Sequence, residues 1–301
     1  LTTMVIGGSG FIGSEVMKML VKNKIETVSY DLIQSSTIGE NNKWIRADIL
    51  ELPSLERVFF EYQVDTIIHL VGLPTIDYCE KNPRFSFLLN VMSVQNALEA
   101  MRMADIKKVI FASSASVYGY HRGEPVKEID PTSPNTMYGY HKDIAEQIIR
   151  SYHDSYGIDY VIFRIFNVYG GNPHIGKDVI SIFIRRALKS EPLTVKGPKK
   201  FRDFVHINDV AQAFTKATTM DNVSDAIANI GSGEKISLHE VAEIVKTHFP
   251  EVEVKEEATS DDGTGLQADI SLARNTLGFA PRSPEEGIST YVATYAGHKS
   301  K

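Results

Sequence analysis

One cysteine in 301 residues, Cys79, excludes an internal disulfide and with it the small stapled scaffolds of many secreted domains. The residue reads as a half-buried helix position. Long apolar runs are missing as well, since none approaches the roughly 18 residues that would span a bilayer. The N-terminal Leu1-Thr2-Thr3 passes straight into Met4-Val5-Ile6 without the basic segment of a signal peptide, so a cytoplasmic location with no membrane contact is expected. Basic charge is in short supply: 32 Lys and Arg face 38 Asp and Glu, for a net charge of -6. That balance argues against a broad grip on nucleic acid, which needs clustered cations, and leaves anionic small molecules open because a few local cations hold them. Internal repeats and linker-like low-complexity stretches are absent too.

What is present suffices for a sizeable core, with 43% hydrophobic and 23% charged residues. Up to about residue 166, short β-branched runs alternate with amphipathic stretches, the pattern of a parallel sheet covered by helices. Strands are predicted at Thr3–Gly7, Thr27–Asp31, Lys43–Ala47, Thr66–Val71, Val109–Ser113 and Asp159–Phe166, and helices at Phe11–Lys22, Ser54–Tyr62, Phe85–Ala104 and Tyr138–Tyr156. Right-handed crossovers then give a doubly wound α/β sheet. Beyond Asn167 the pattern loosens. Helices at Val179–Ser190, Asn208–Met220 and Leu238–Phe249 and strands at Leu193–Lys196 and Ala226–Ile230 are followed by small irregular pieces. The expected division is a nucleotide-binding domain over 1–166, to which 203–230 returns, and a smaller α/β lobe from 167–202 and 231–301 that covers the carboxyl edge of the sheet.

The first strand ends in Gly7-Gly8-Ser9-Gly10-Phe11-Ile12-Gly13, a Gly-x-x-Gly-x-x-Gly turn leading into a helix. Such a turn lets a pyrophosphate approach bare backbone at a helix N-terminus. The second strand ends at Asp31, 18 residues beyond Gly13, where a carboxylate can accept from ribose hydroxyls. Asp31 repels a 2′-phosphate, and no Arg or Lys lies between it and Lys43 to receive one, so NAD is expected in preference to NADP. The competing reading of Asp31 is the start of a surface turn.

Tyr138 and Lys142 stand four apart in a predicted helix and share a face. A nearby ammonium favours the phenolate, so a lowered phenol pKa is expected at Tyr138. Ser114, in Ser113-Ser114-Ala115-Ser116-Val117-Tyr118-Gly119 at the end of the fifth strand, can hydrogen-bond the oxygen whose proton Tyr138 removes. Serines after strands also serve as plain turn formers.

With these pieces in order, the chain resembles the extended short-chain dehydrogenase/reductases, the sugar-nucleotide epimerase and dehydratase family, over nearly its whole length. The matching residues are Gly7 to Gly13, Asp31, Asp48-Ile49, His69-Leu70-Val71-Gly72, Asn90, Ser114, Tyr138 to Lys142, Arg164-Ile165-Phe166-Asn167 and Arg202 to His206. The resemblance implies a Rossmann fold and a UDP-glucose 4-epimerase-like enzyme. It implies that Asp48 and Ile49 border the adenine, that Leu70, Val71, Gly72, Asn90 and Phe166 line the cofactor cleft, and that Lys142 holds the nicotinamide ribose. It also implies that Asn167, Val179, Arg202 and Asp262 touch a nucleotide-diphosphate sugar, Arg202 at the diphosphate. The other reading of Arg202 is a salt bridge to a neighbouring carboxylate, and His206 reads as structural. No metal is expected, and a homodimer through the helices at Phe85–Ala104 and Tyr138–Tyr156 is.

Family members that dehydrate carry an Asp-Glu pair after the catalytic hydroxyl residue; here those positions are Ala115 and Ser116, which disfavours dehydration. The expected reaction is epimerisation, at C4, by transient oxidation to a keto-sugar and hydride return. Rivals are a net nucleotide-sugar reductase or dehydrogenase and a non-catalytic NAD sensor. Two departures stand out. Thr259 occupies the place of a diphosphate-clamping arginine, which Lys199 and Lys200 could replace. Leu266 stands where the family limits room around the sugar C2, favouring hexose or hexuronate over N-acetylhexosamine.

Overall fold

The computed structural model describes residues 2–34, 42–119, 125–171, 174, 176–220 and 225–296. Its first part runs β1 (Thr2–Ile6), α1 (Phe11–Lys22), β2 (Glu26–Asp31), β3 (Asn42–Arg46), α2 (Leu52–Tyr62), β4 (Val64–His69), α3 (Ile76–Lys81), α4 (Pro83–Phe87), α5 (Ser93–Ala104), β5 (Lys108–Ser114), α6 (Met137–Tyr156) and β6 (Asp159–Ile165). The remainder comprises β7 (Asn167–Tyr169), α7 (Val179–Leu188), β8 (Leu193–Lys196), β9 (Phe201–Arg202), β10 (Phe204–His206), α8 (Ile207–Thr219) and β11 (Ala226–Ile230). It closes with β12 (Ile236–Ser237), α9 (Leu238–His248), β13 (Val254–Glu257), α10 (Ser271–Leu277) and α11 (Pro284–Ala296).

Seven parallel strands form the main sheet in the order β3-β2-β1-β4-β5-β6-β11. The chain winds outward from β1 to one edge, then returns and winds to the other, so the order reverses between β1 and β4. Open α/β sheets bind ligands in the crevice at that reversal, outside the carboxyl ends of the strands. Both faces of β1 are covered, because successive strand residues point to opposite sides. Met4 and Ile6 join Leu55 of α2, Leu98 of α5 and Ile149 of α6 in one core, and Val5 joins Val16 and Leu20 of α1 and Phe214 of α8 in the other. A separate core gathers Ile180 and Ile184 of α7, Val241 and Val245 of α9, and Ile288 and Val292 of α11.

The end of the chain differs from the irregular pieces expected: α10 and the 13-residue α11 lie there. The start signal of α11 was readable. Ser283 accepts from the Glu286 amide at 3.3 Å ahead of Pro284-Glu285-Glu286, and Ile288, Tyr291, Val292 and Tyr295 follow at helical spacing. The helix predicted over Phe85–Ala104 is interrupted by a π-helical turn at Leu88–Met92. The short α3 precedes it, and within α3 Cys79 is fully buried, not half-buried, its thiol donating to the Leu73 carbonyl at 3.2 Å.

Asp203 ties the chain after β11 and the chain before α10 to the junction of β9 and β10. Fully buried between β9 and β10, its carboxylate accepts from Ser232 N at 2.5 Å, Ser232 Oγ at 2.7 Å, and Gly233 N and Ala268 N at 3.0 Å each. Burial raises its pKa, against the pull of those donors. Asp203→Ala strands these donors in the interior and is expected to cost about 3–5 kcal/mol. Chemical denaturation checks this by a fall in midpoint at unchanged slope; an unchanged midpoint refutes the role given to Asp203.

Candidate active site

The glycine turn leaves β1 with Gly7 at φ +87°, a left-handed conformation that glycine adopts without strain. Gly10 caps α1, and its amide donates to the Gly7 carbonyl at 3.1 Å. At Gly13 a Cβ would stand 2.0 Å from that same carbonyl oxygen, so the first turn of α1 can lie on the strand end only without a side chain there. Phe11 is exposed on the turn, Ile12 half-buried beside the core. Asp31 joins this turn from β2: its carboxylate accepts from the Ser9 amide at 3.0 Å and the Ile33 amide at 3.0 Å. It thus begins a turn and also fixes the glycine loop. The stretch 35–41, part of the segment free of Arg and Lys, lies outside the described residues.

Asp48 and Ile49 follow β3. Asp48 accepts from the Leu50 amide at 3.0 Å, and the Ile49 carbonyl accepts from Asn96 at 3.1 Å while its side chain is buried in the core. After β4 come Leu70, Val71 and Gly72. A Cβ on Gly72 would meet Asn90 Oδ1 at 2.8 Å and Lys142 Nζ at 3.2 Å, so this glycine opens the space above both side chains. Asn90 sits in the π-helical turn, which rotates it inward. Its side chain accepts from the Leu73 amide at 2.9 Å and donates to Ser86 Oγ at 3.1 Å.

Three consecutive residues at the end of β5 face the row Tyr138, Lys142, Glu146 on α6. The Ala112 carbonyl accepts from Lys142 Nζ at 2.8 Å, the Ser113 hydroxyl donates to Glu146, and the Ser114 hydroxyl, which bonds Ser116 Oγ at 3.2 Å, lies beside the Tyr138 phenol and lowers its pKa. Thr136 caps α6 by accepting from the Gly139 amide at 3.1 Å. A Cβ on Gly139 would lie 2.6 Å from the Ser116 carbonyl oxygen, so the helix start packs directly on the 3₁₀ turn that follows β5.

The electrostatics correct one expectation. Burial pushes the Tyr138 phenol up to about 12, with the Ser114 hydroxyl opposing it. Lys142, whose ammonium lies 6.0 Å from the Tyr138 ring centroid and bonds backbone, does not bring the phenol down. Burial lowers Lys142 to about 8, with Glu146 holding it up. His69, buried at the end of β4, is pushed down to about 3 by burial and then by the charge of Lys142, so it faces the lysine as a neutral ring.

A family model described as the NAD dependent epimerase/dehydratase family matches residues 3–231. The chain belongs to that family. It is 35% identical to a Methanocaldococcus jannaschii protein provisionally named a UDP-glucose 4-epimerase, over 96% of both chains. It is 32% identical to UDP-glucuronic acid decarboxylase 6 of Arabidopsis thaliana, covering 93% of this chain and 84% of the relative. Among solved structures, the Thermotoga maritima UDP-glucose 4-epimerase crystallised with UDP-glucose superposes with a TM-score of 0.90 at 26% identity, over 99% of each chain. The Thermus thermophilus UDP-glucose 4-epimerase in complex with NAD gives 0.87 at 28%, also over 99% of each.

The residues of this family member fit a dinucleotide on their own geometry: bare backbone around Gly7 to Gly13 at a helix N-terminus, a carboxylate at Asp31, and the opening at Gly72 above Asn90 and Lys142. Phe166 is buried in a small core with Tyr118 and Ala268, and Leu266 packs on that cluster. Asn167 is exposed at the start of β7, and Val179 is half-buried where α7 begins behind its Asp178 cap.

Arg202 is half-buried and donates to the Phe201 carbonyl at 2.8 Å; burial lowers its pKa, and Asp261 partly restores it. Asp262 accepts from the Lys199 amide at 2.7 Å, and Lys200 pairs with Asp261 at 2.7 Å. His206 caps α8 by accepting from the Asn208 amide at 3.1 Å, and burial followed by Arg282 lowers it to about 4, in keeping with a structural residue. Sequence reading passed over Glu146 and Ser113. The helical series 138, 142, 146 was the available signal for the first, while for Ser113 nothing but the strand geometry tells it from its neighbours.

Proposed function

We propose that the protein epimerises C4 of a nucleotide-diphosphate sugar by transient oxidation to a ketone, with NAD retained through the cycle. The observation that carries this reading is the convergence of Ser114, Tyr138 and Lys142 beside the glycine cradle, at the point where the strand order reverses.

In this reading Asp31 receives the adenosine ribose, Asp48 and Ile49 border the adenine, and Leu70 to Gly72, Asn90 and Phe166 line the nicotinamide half. Lys142 donates to the second ribose. When bound, the dinucleotide supplies a hydride acceptor and donor, and its positive ring adds the charge that lowers the phenol. Tyr138, as phenolate, takes the proton of the C4 hydroxyl while the C4 hydrogen leaves with its electron pair. Ser114 bonds the same oxygen and aligns the transfer. After the ketone has presented its other face, the phenol returns its proton as the C4–H bond re-forms. Ala115 and Ser116 offer no carboxylic acid for eliminating water.

Arg202 supplies the fixed fork for the diphosphate, with Lys199 and Lys200 in the neighbourhood where Thr259 offers no charge, and Asp262, Asn167 and Val179 complete the sugar-nucleotide wall. Leu266, seated on the Phe166 cluster, favours a hexose or hexuronate. Residues 167–202 and 231–301 form the substrate lobe. The helices at Pro83–Phe87, Ser93–Ala104 and Met137–Tyr156 leave Phe85, Met103, Tyr140 and Tyr156 45–52% exposed, which supports a homodimer through this face.

The test is incubation with a panel of nucleotide-diphosphate hexoses and hexuronates followed by proton NMR. The expected product is the C4 epimer at equilibrium, without net consumption of added dinucleotide. Loss of the carboxyl carbon from a glucuronate substrate would make the enzyme a decarboxylase, and stoichiometric dinucleotide consumption would make it a reductase.

A further inference from the structure

Glu146 has no part in the proposed proton transfer, yet its burial is complete and its carboxylate is fully engaged. Arg164 of β6 binds it through Nε at 3.1 and 3.2 Å and through Nη2 at 2.8 Å, and Ser113 donates to it from β5. Arg164 is fixed in turn: its guanidinium lies 4.9 Å from the Tyr118 ring centroid and donates to the Glu128 carbonyl at 3.2 Å. Tyr118 bonds Asn229 Oδ1 at 2.8 Å, and Asn229 donates to the Val126 and Asp269 carbonyls at 2.9 and 3.1 Å. The carboxylate one turn beyond Lys142 is therefore anchored to β5, β6 and β11 at once.

A buried ion pair is a costly way to join a helix to a sheet, since two apolar side chains of similar volume often do as well. Its placement gives the second reason for it. The groups facing Lys142 are the neutral ring of His69 from β4, the Cys79 thiol from α3, the Phe111 ring from β5 at 4.6 Å, and Tyr138 and Glu146 on α6. Glu146 is the one carboxylate among those described. We propose that Glu146, held by Arg164 and Ser113, is a positioning residue that keeps Lys142 seated on the Ala112 carbonyl and charged toward the dinucleotide ribose. This rests on the role given to Lys142 under the proposed function.

The sign follows from charge. Lys142, already lowered to about 8, serves as a cation, so NAD affinity and turnover fall as pH rises through that value. Removing the negative neighbour moves this alkaline limb to lower pH by about one unit. Glu146→Gln leaves Arg164 without its carboxylate and threatens folding, so the double variant Glu146→Met/Arg164→Met, which removes both charges, is made beside it.

The experiment measures Kd for NAD by calorimetry and kcat for the sugar across pH, on the parent, both variants and Lys142→Met. The expected result is a limb shifted downward in each folded Glu146 variant for both binding and kcat, with the KM for the sugar little changed, and weak NAD binding at all pH values in Lys142→Met. A double variant that folds and whose limb coincides with the parent's overturns the proposal, because a merely structural staple changes stability without moving the limb. If Lys142→Met binds NAD as the parent does, the role of Lys142 itself is wrong and the proposal falls with it.

Discussion

Tyr138→Phe is expected to lower kcat by roughly 10²–10⁴-fold while NAD still binds, the range for losing a positioned general acid and base. The substitution removes one oxygen. The neighbouring Ser114 hydroxyl favours loss of its proton, and burial holds that proton until an additional positive charge is close by. The ring remains to fill its place at the start of α6, whose cap at Thr136 does not involve the hydroxyl. Stability should therefore change little, and calorimetry with NAD separates the loss of chemistry from a loss of the site. Turnover at the parent's rate would mean that another group moves the proton.

Gly13→Ala is expected to be the most damaging single-methyl change in the nucleotide cradle. The added carbon would stand 2.0 Å from the Gly7 carbonyl oxygen and 2.9 Å from Gly8 Cα. Both obstacles are backbone, so α1 must move off the strand end. Overpacking of this kind costs about 1–3 kcal/mol or more. Moving the helix N-terminus away from the pyrophosphate weakens NAD binding, and a misplacement of about 1 Å costs roughly 100-fold in turnover. Gly10→Ala is the matched comparison, since there the nearest atom lies at 3.3 Å and the effect should be much smaller. Titration calorimetry and thermal unfolding measure both variants; equal effects at the two positions would refute the close-approach argument.

The parallel sheet was legible because its strands are buried on both faces and read as short β-branched runs closed by turn residues, as at Met4-Val5-Ile6 before Gly7. The helix at Phe11–Lys22 matched its predicted bounds because a glycine turn precedes it and Asn23 ends it. Periodicity failed where a helix changes its winding. Apolar spacing runs on through Leu88–Met92, yet the π-helical turn there is what rotates Asn90 toward Gly72.

At the site, the pairing of Tyr138 with Lys142 was legible because four residues make about one helical turn. The electrostatic balance was not. Sequence spacing suggests an ammonium acting on a phenol, whereas the fold aims that ammonium at the Ala112 carbonyl and leaves burial to set the phenol. The anchoring of Glu146 by Arg164 was likewise out of reach, since those residues meet only once α6 has packed across β5 and β6. Asp203 looked like one residue of a motif, and its four donors come from segments that are remote in the chain.

Carbon-bound label reports on the proposed chemistry most directly. A nucleotide-sugar substrate deuterated at C4 is converted to equilibrium in ordinary water, and both epimers are examined by NMR. Retention of essentially all deuterium at C4 in both is the predicted result, because the hydrogen leaves and returns as hydride within one closed site while only the hydroxyl proton passes through Tyr138. Replacement of the label by solvent hydrogen would contradict the account, since the C4–H bond would then be broken by proton removal and not by oxidation.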